Sequence, residues 1–230
     1  MISVEQKAEI EQYLMEKKIP LDILIEVEDH FLKQIENYVI NENISFNAAF
    51  DKVKNLWKDD LKTDKYYNGR EVAVFVKKIS EKKINKILLE SVFFTVFVGL
   101  AIYFFSLIAT KEVFTEIVTY LAFVFLGLPG LHYLLNIKIF SLAKNYKSTK
   151  LNVFQNGNFL ILVAGLIIVT SASSISVLAG FIYDFYMNST ARGFSYFLIL
   201  MCVTWFYSFG FLFQIAFVKS AKKIRTFINL

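Results

Sequence analysis

The alternation of apolar and polar positions changes character near residue 87. Beyond it, four stretches contain no Asp, Glu, Lys or Arg: Ser91–Thr110, Ile117–Ile137, Leu151–Tyr183 and Gly193–Val218. About 20 apolar residues in a helix cross a hydrocarbon layer, and a backbone in lipid has to satisfy its own hydrogen bonds. Each stretch therefore predicts a membrane-spanning helix, over about 88–110, 114–136, 159–183 and 194–218. The third run is longer than a span needs, and its polar start, Leu151-Asn-Val-Phe-Gln-Asn-Gly-Asn158, reads as loop.

Upstream, the apolar positions step by three and four, the period of an amphipathic helix. Ser3 and Gln6 have the spacing of a capping box, and Ile10, Tyr13 and Leu14 continue one face toward Lys18. Pro20 suits a first helical turn. Leu24, Val27, Phe31, Ile35 and Val39 then mark a second helix that ends at Asn41-Glu42-Asn43. Ser45 caps a third, whose Phe46, Ala49, Phe50, Val53 and Trp57 lie on one side. The fold class that follows is all-α: a three-helix cytosolic module over 1–62, a helical connector over 63–86, and a four-helix transmembrane domain over 87–230. Val27, Phe31, Phe46, Phe50, Val53 and Trp57 are the expected module core. From Arg70 the connector is expected to run helically into the first span.

Composition sharpens the division. Hydrophobic residues make 56% of the 230 and aromatics 17%, a membrane-like balance. Residues 1–86 are nearly neutral at net −1, whereas 87–230 carry net +6, so the basic balance belongs to the membrane half and gives no case for direct nucleic-acid binding. Lysines flank the spans on alternate sides. Lys77, Lys78, Lys82, Lys83 and Lys86 precede the first; Lys138, Lys144, Lys147 and Lys150 follow the second; Lys219, Lys222, Lys223 and Arg225 follow the fourth. By the positive-inside rule both termini are cytoplasmic, in a multipass protein of a bacterial inner membrane. The N-terminus has no charged-then-apolar leader pattern. Within the spans, Ala172, Ser176 and Gly180, with Ala164 earlier, make a small-residue stripe suited to helix packing. Pro129 in Gly127-Leu-Pro-Gly130 is expected to kink the second span, and Trp205 to sit in the bundle core.

The densest polar chemistry is Glu26, Glu28, Asp29 and His30. On a helix Glu26 and His30 share a face, while Asp29 lies about 100° round and points toward Lys33. A zinc-hydrolase helix needs two histidines four apart around a glutamate, and this stretch has one. With no Cys and no second His in this half, metal ligands are lacking, and no cofactor is implied. Glu26, Asp29, His30 and Lys33 read instead as a solvated face available to a protein partner. In the membrane half, Glu90, His132, Asn158 and Gln214 fall one per span near the cytosolic ends, and predict a polar cluster with Glu90 and His132 as its ion pair.

Glu26, Asp29, His30 and Phe31, followed by Ser45, Ala49 and Phe50, resemble the HAAS-type helical domains, small cytoplasmic modules of bacterial membrane proteins. The likeness covers about residues 10–62. The chain departs from that pattern in having no Gly in the Asn41–Ser45 turn and no closing Gly-x-Pro after Trp57. The resemblance implies a regulatory or interaction module, often encoded beside PadR-type transcription regulators, with no enzymatic activity. Cys202 has no His in its own segment, and the serines of 171–176 have no evident base, so catalysis has no constellation to work with. The functional expectation is a membrane-anchored signalling or interaction protein, acting alone or as a homo-oligomer, whose cytosolic module binds a protein partner. The alternative is a small transporter or transport subunit for an uncharged or lipid-like substrate, since no ionisable group sits in mid-span.

Overall fold

The computed structural model describes residues 2–17, 19–65, 71–146, 150–155 and 172–228. Helices α1 (Val4–Met15), α2 (Leu21–Asn41), α3 (Phe46–Leu56) and the single turn α4 (Lys58–Leu61) come first. A two-stranded hairpin follows, β1 (Thr63–Lys65) and β2 (Glu71–Ala73). Then come α5 (Val74–Ile108), α6 (Lys111–Leu135), α7 (Ile137–Asn145), α8 (Ala172–Asn188) and α9 (Ala191–Ile228). The described residues are therefore all-α in class apart from one short hairpin.

The local signals act as physics requires. The Ser3 hydroxyl accepts the Gln6 amide while the Gln6 side chain accepts the Ser3 amide at 2.8 Å, closing the capping box that starts α1. The Ser45 hydroxyl accepts the Ala48 amide at the start of α3. Between α2 and α3, Asn43 takes φ 53°, a left-handed conformation that asparagine tolerates better than most residues.

The chain divides into two compact units. The first comprises Met1–Lys83, Ser141–Gln155 and Lys219–Leu230. Its core holds Ile10, Leu14, Ile23, Val27, Phe31, Phe50 and Val53, with Phe46 and Trp57 packed against them, half-buried. Phe31 and Trp57 rings lie 5.2 Å apart, and Tyr13 meets Phe50 edge-on at 5.8 Å. The Trp57 indole N–H donates to Gln34 Oε1 at 2.8 Å.

One expectation is corrected here. The expected helical connector is a strand over Glu71–Ala73: β2 pairs antiparallel with β1, Thr63 opposite Ala73, and α5 begins only at Val74. The hairpin reverses the chain so that Leu61, Ala73, Phe75 and Val76 all enter the module core. That burial outweighs the helical preference of an isolated stretch, and β-branched Thr63 and Val72 suit the pleat. Lys77 ties the first turn of α5 back to Asp64 at 2.7 Å.

The second unit comprises Ile84–Phe140 and Asn156–Val218. Among the described residues, three helices are long and apolar enough to cross a membrane: Val74–Ile108, Lys111–Leu135 and Ala191–Ile224. Their outward faces carry Phe93, Phe97, Phe104 and Leu121, all largely exposed, as suits surfaces whose solvent is lipid. Of the third expected span, only the part from Ala172 onward lies within the described residues, and Ala164 lies outside them. Helix α6 runs on through Pro129, and α8 packs closely on α6, with Gly180 facing Lys111 and Thr115. Trp205 is half-buried on α9.

Candidate functional site

The polar residues of α2 meet different fates. Asp29 takes Lys33 as its partner at 2.6 Å, both well exposed, the i,i+4 pair its spacing calls for. His30 is exposed. Glu28 pairs with Lys7 of α1 at 3.5 Å. Glu26 reaches a partner far along the chain: Lys223 of α9 donates to its Oε1 at 3.2 Å.

One turn before Glu26 stands Asp22, a residue that sequence reasoning passed over. Its side chain is only 7% exposed. One oxygen, Oδ2, accepts from Ser220 Oγ at 3.1 Å and from Lys83 Nζ at 3.5 Å. The other, Oδ1, is buried without a hydrogen-bond partner among the described residues. Burial is the leading influence on this carboxyl and raises its pKa above the ordinary value; Lys83 and Ser220 oppose the shift, and Glu26 adds to it. Asp22 thus joins α2 to the extensions of α5 and α9, all within the first unit.

The N-terminus of α2 is completed by a distant segment. Pro20 offers no side-chain cap. The amides of Leu21 and Asp22 instead donate to the carbonyls of Lys150 and Leu151, at 2.9 and 3.0 Å. Those amides belong to the first turn, where a helix has no partners of its own. Gln155 holds the loop in shape: its amide donates to the Ala143 and Tyr146 carbonyls, at 2.8 and 2.9 Å, and its carbonyl accepts the Leu151 amide at 2.7 Å. Asn152, fully buried, accepts the Phe154 amide at 3.0 Å.

The expected membrane cluster is brought together only in part. Gln214, fully buried, donates to the Pro129 carbonyl at 3.3 Å, and the His132 ring stands edge-on to Phe211, one turn before Gln214, at 5.8 Å. Glu90 does not take His132 as its ion-pair partner. It lies on the exposed face of α5 and pairs with Lys86, one turn earlier, at 3.9 Å. The i,i+4 geometry supplies a nearer cation, and Glu90, half-exposed, avoids the cost of desolvation. Asn158 lies outside the described residues. Near the proline, α9 also sends the Tyr207 hydroxyl to the Leu126 carbonyl. Pro129 has no N–H to give the Phe125 carbonyl, and α9 sets side-chain donors on two other carbonyls of the same stretch, Leu126 and Pro129.

At the other end of the second unit, Lys111 pairs with Asp184 at 2.7 Å, and the Tyr183 hydroxyl donates to the Ala109 carbonyl at 3.2 Å. An open groove of about 540 Å³ runs beside Lys111, Glu112, Thr115 and Glu116. Among the described residues, no group of three His, Cys, Asp or Glu could hold a metal. No protein-family model matches the chain, and no curated protein or solved structure shows significant similarity to it.

Proposed function

We propose that this chain is a four-span, membrane-anchored interaction protein of a bacterial inner membrane. Both termini and the 138–150 loop face the cytoplasm, and the N-terminal module binds a cytosolic protein partner through the α2 face around Glu26, Asp29, His30 and Lys33. The resemblance to HAAS-type modules makes a transcription regulator the partner to test first.

The observation that carries the reading is the make-up of the first unit. It gathers residues 1–83, 141–155 and 219–230, the segments whose lysines argue for the cytosol, into one folded body. Parity then bears on the span count. Helices α5 and α6 take the chain across and back between Lys83 and Ser141. From Gln155 to Lys219 the chain also leaves and rejoins the same unit, and α9 accounts for one crossing. The charge-free run up to Tyr183, which leads into the 17-residue α8, is long enough in sequence for a fourth crossing, and this parity favours one there.

Two measurements test the reading. In a Cys202→Ser background, an impermeant thiol reagent on intact cells should label a cysteine at Ser189 and spare one at Ser141; labelling of Ser141 refutes the orientation. A photoreactive residue in place of His30 should crosslink one cytosolic protein in living cells. Adducts only to the chain itself refute the partner face.

A further inference from the structure

We infer that the acidic stripe of α2 is a receptor for a basic amphipathic helix, filled in this chain by its own C-terminal segment, so that tail and partner compete for one surface. The inference rests on the interaction reading above and adds the partner's chemistry and its control.

Asp22 and Glu26 stand four residues apart, on one face of α2. Ser220 and Lys223 stand three apart on α9 and meet them in order, Ser220 on Asp22 and Lys223 on Glu26. Both contacts advance along the two helices together, so over this stretch α9 runs in the same sense as α2. Ala221 and Ile224, each next in sequence to one of the polar contacts, are almost fully buried, at 1% and 2% exposure, whereas Lys219 and Lys222 are exposed. The segment Lys219-Ser-Ala-Lys-Lys-Ile-Arg225 is therefore a basic helix with an apolar edge, seated on an acidic stripe.

The tail fills this site incompletely. The Glu26–Lys223 pair is 3.2 Å long but both side chains remain more than half exposed, the setting in which ion pairs hold weakly. At Asp22 the tail presents a neutral serine to a buried carboxylate, and Lys83, at 3.5 Å, gives a distant charge. The second oxygen goes unserved among the described residues. A helix carrying a cation in the position of Ser220 satisfies Asp22 better than the tail does. The chain thus holds its own site with a ligand that a more basic helix can displace.

The test uses the full chain truncated after Val218, in nanodiscs of phosphatidylcholine only, and a fluorescein-labelled peptide of residues 219–230. Anisotropy should show saturable binding to the truncated protein and at least tenfold weaker binding to the intact chain, where the site is filled. Replacing Ser220 by Arg in the peptide should tighten binding several-fold. Glu26→Lys in the protein should weaken it at least tenfold, and Lys223→Glu in the peptide should restore it. Equal affinity for truncated and intact chains, or indifference to Glu26→Lys, overturns the inference. Should truncation unfold the module, the intact chain gives the answer by hydrogen exchange. Lys223→Glu should speed exchange across residues 219–228, and Glu26→Lys in the same chain should reverse it; exchange unchanged by either overturns the proposal. A His30 crosslink without peptide binding defeats this inference alone, and peptide binding without a crosslink defeats the partner reading alone.

Discussion

Replacing Gln155 with Leu keeps most of the side-chain volume and removes three side-chain hydrogen bonds, to the Ala143 and Tyr146 carbonyls and the Leu151 amide. At a net value of about 1 kcal/mol each, with partly buried carbonyls left to find water, the loss is about 2–4 kcal/mol. The loop should lose its shape first, because α1, α2 and α3 have a core of their own. What it then stops supplying are the Lys150 and Leu151 carbonyls that accept the Leu21 and Asp22 amides. Hydrogen exchange on the full chain in nanodiscs reads this directly. The amides of Leu21, Asp22 and Leu151 should exchange about 30- to 700-fold faster, since 1.4 kcal/mol is a factor of ten. Amides in the middle of α2, near Phe31, should keep their wild-type protection. Wild-type exchange at Leu21 and Asp22 refutes the capping role, and uniform loss of protection across the module refutes the claim that Gln155 acts on the loop alone.

Phe50→Ala should cost the module about 3–5 kcal/mol, because a nearly fully buried ring in contact with Tyr13 and Phe46 leaves a cavity. Trp57 fluorescence during urea titration, in a Trp205→Phe background, measures it, and a loss below about 1 kcal/mol contradicts the core described here. Gly193→Ala should pry α8 from the start of α9, since a Cβ there lies 2.3 Å from the Phe181 carbonyl oxygen and 2.6 Å from Phe185 Cβ. A lowered melting temperature of the detergent-solubilised chain is expected, and an unchanged one contradicts that packing. Asp22 titrates above its ordinary 3.8, so its protonated form favours the fold: the stability it contributes is full below that value and is lost as pH rises through the folded-state pKa. Lys83, Ser220 and Glu26 are the groups facing it. Asp22→Asn should therefore remove a fall in module stability that sets in as pH rises above 3.8, measured by urea midpoints at a series of pH values.

What the sequence disclosed and what it hid divide by distance along the chain. Ser3, Ser45 and the Phe31–Phe50–Val53 face were legible because caps and amphipathic stripes are written within a few residues. The apolar runs of α5, α6 and α9 were legible because lipid imposes length and composition on each span separately. The hairpin was not: Thr63–Lys65 and Glu71–Ala73 are three residues each, too short for alternation to show, and their pairing is rewarded by burying Ala73 and Phe75 in a core built from elsewhere. Asp22 looked like an ordinary acidic residue of a first helical turn. Its burial comes from Lys83, 61 residues on, and Ser220, 198 residues on, and no local pattern announces either. Glu90 erred in the opposite direction, because a shared depth in the bilayer drew attention to His132 while Lys86 stood one turn away.

The contact between Asp22 and Ser220 also sets a clock. A ribosome that has just added Asp22 must add 198 more residues to reach Ser220, about 10–40 s at ordinary rates of synthesis. Throughout that interval the Asp22–Glu26 face has no tail to cover it, and it acquires one only when Ser220 and Lys223 have been made. A chain that stalls or loses its last helix keeps that face bare. Closure of this one contact therefore records that synthesis has run from the second helix of the chain to its last.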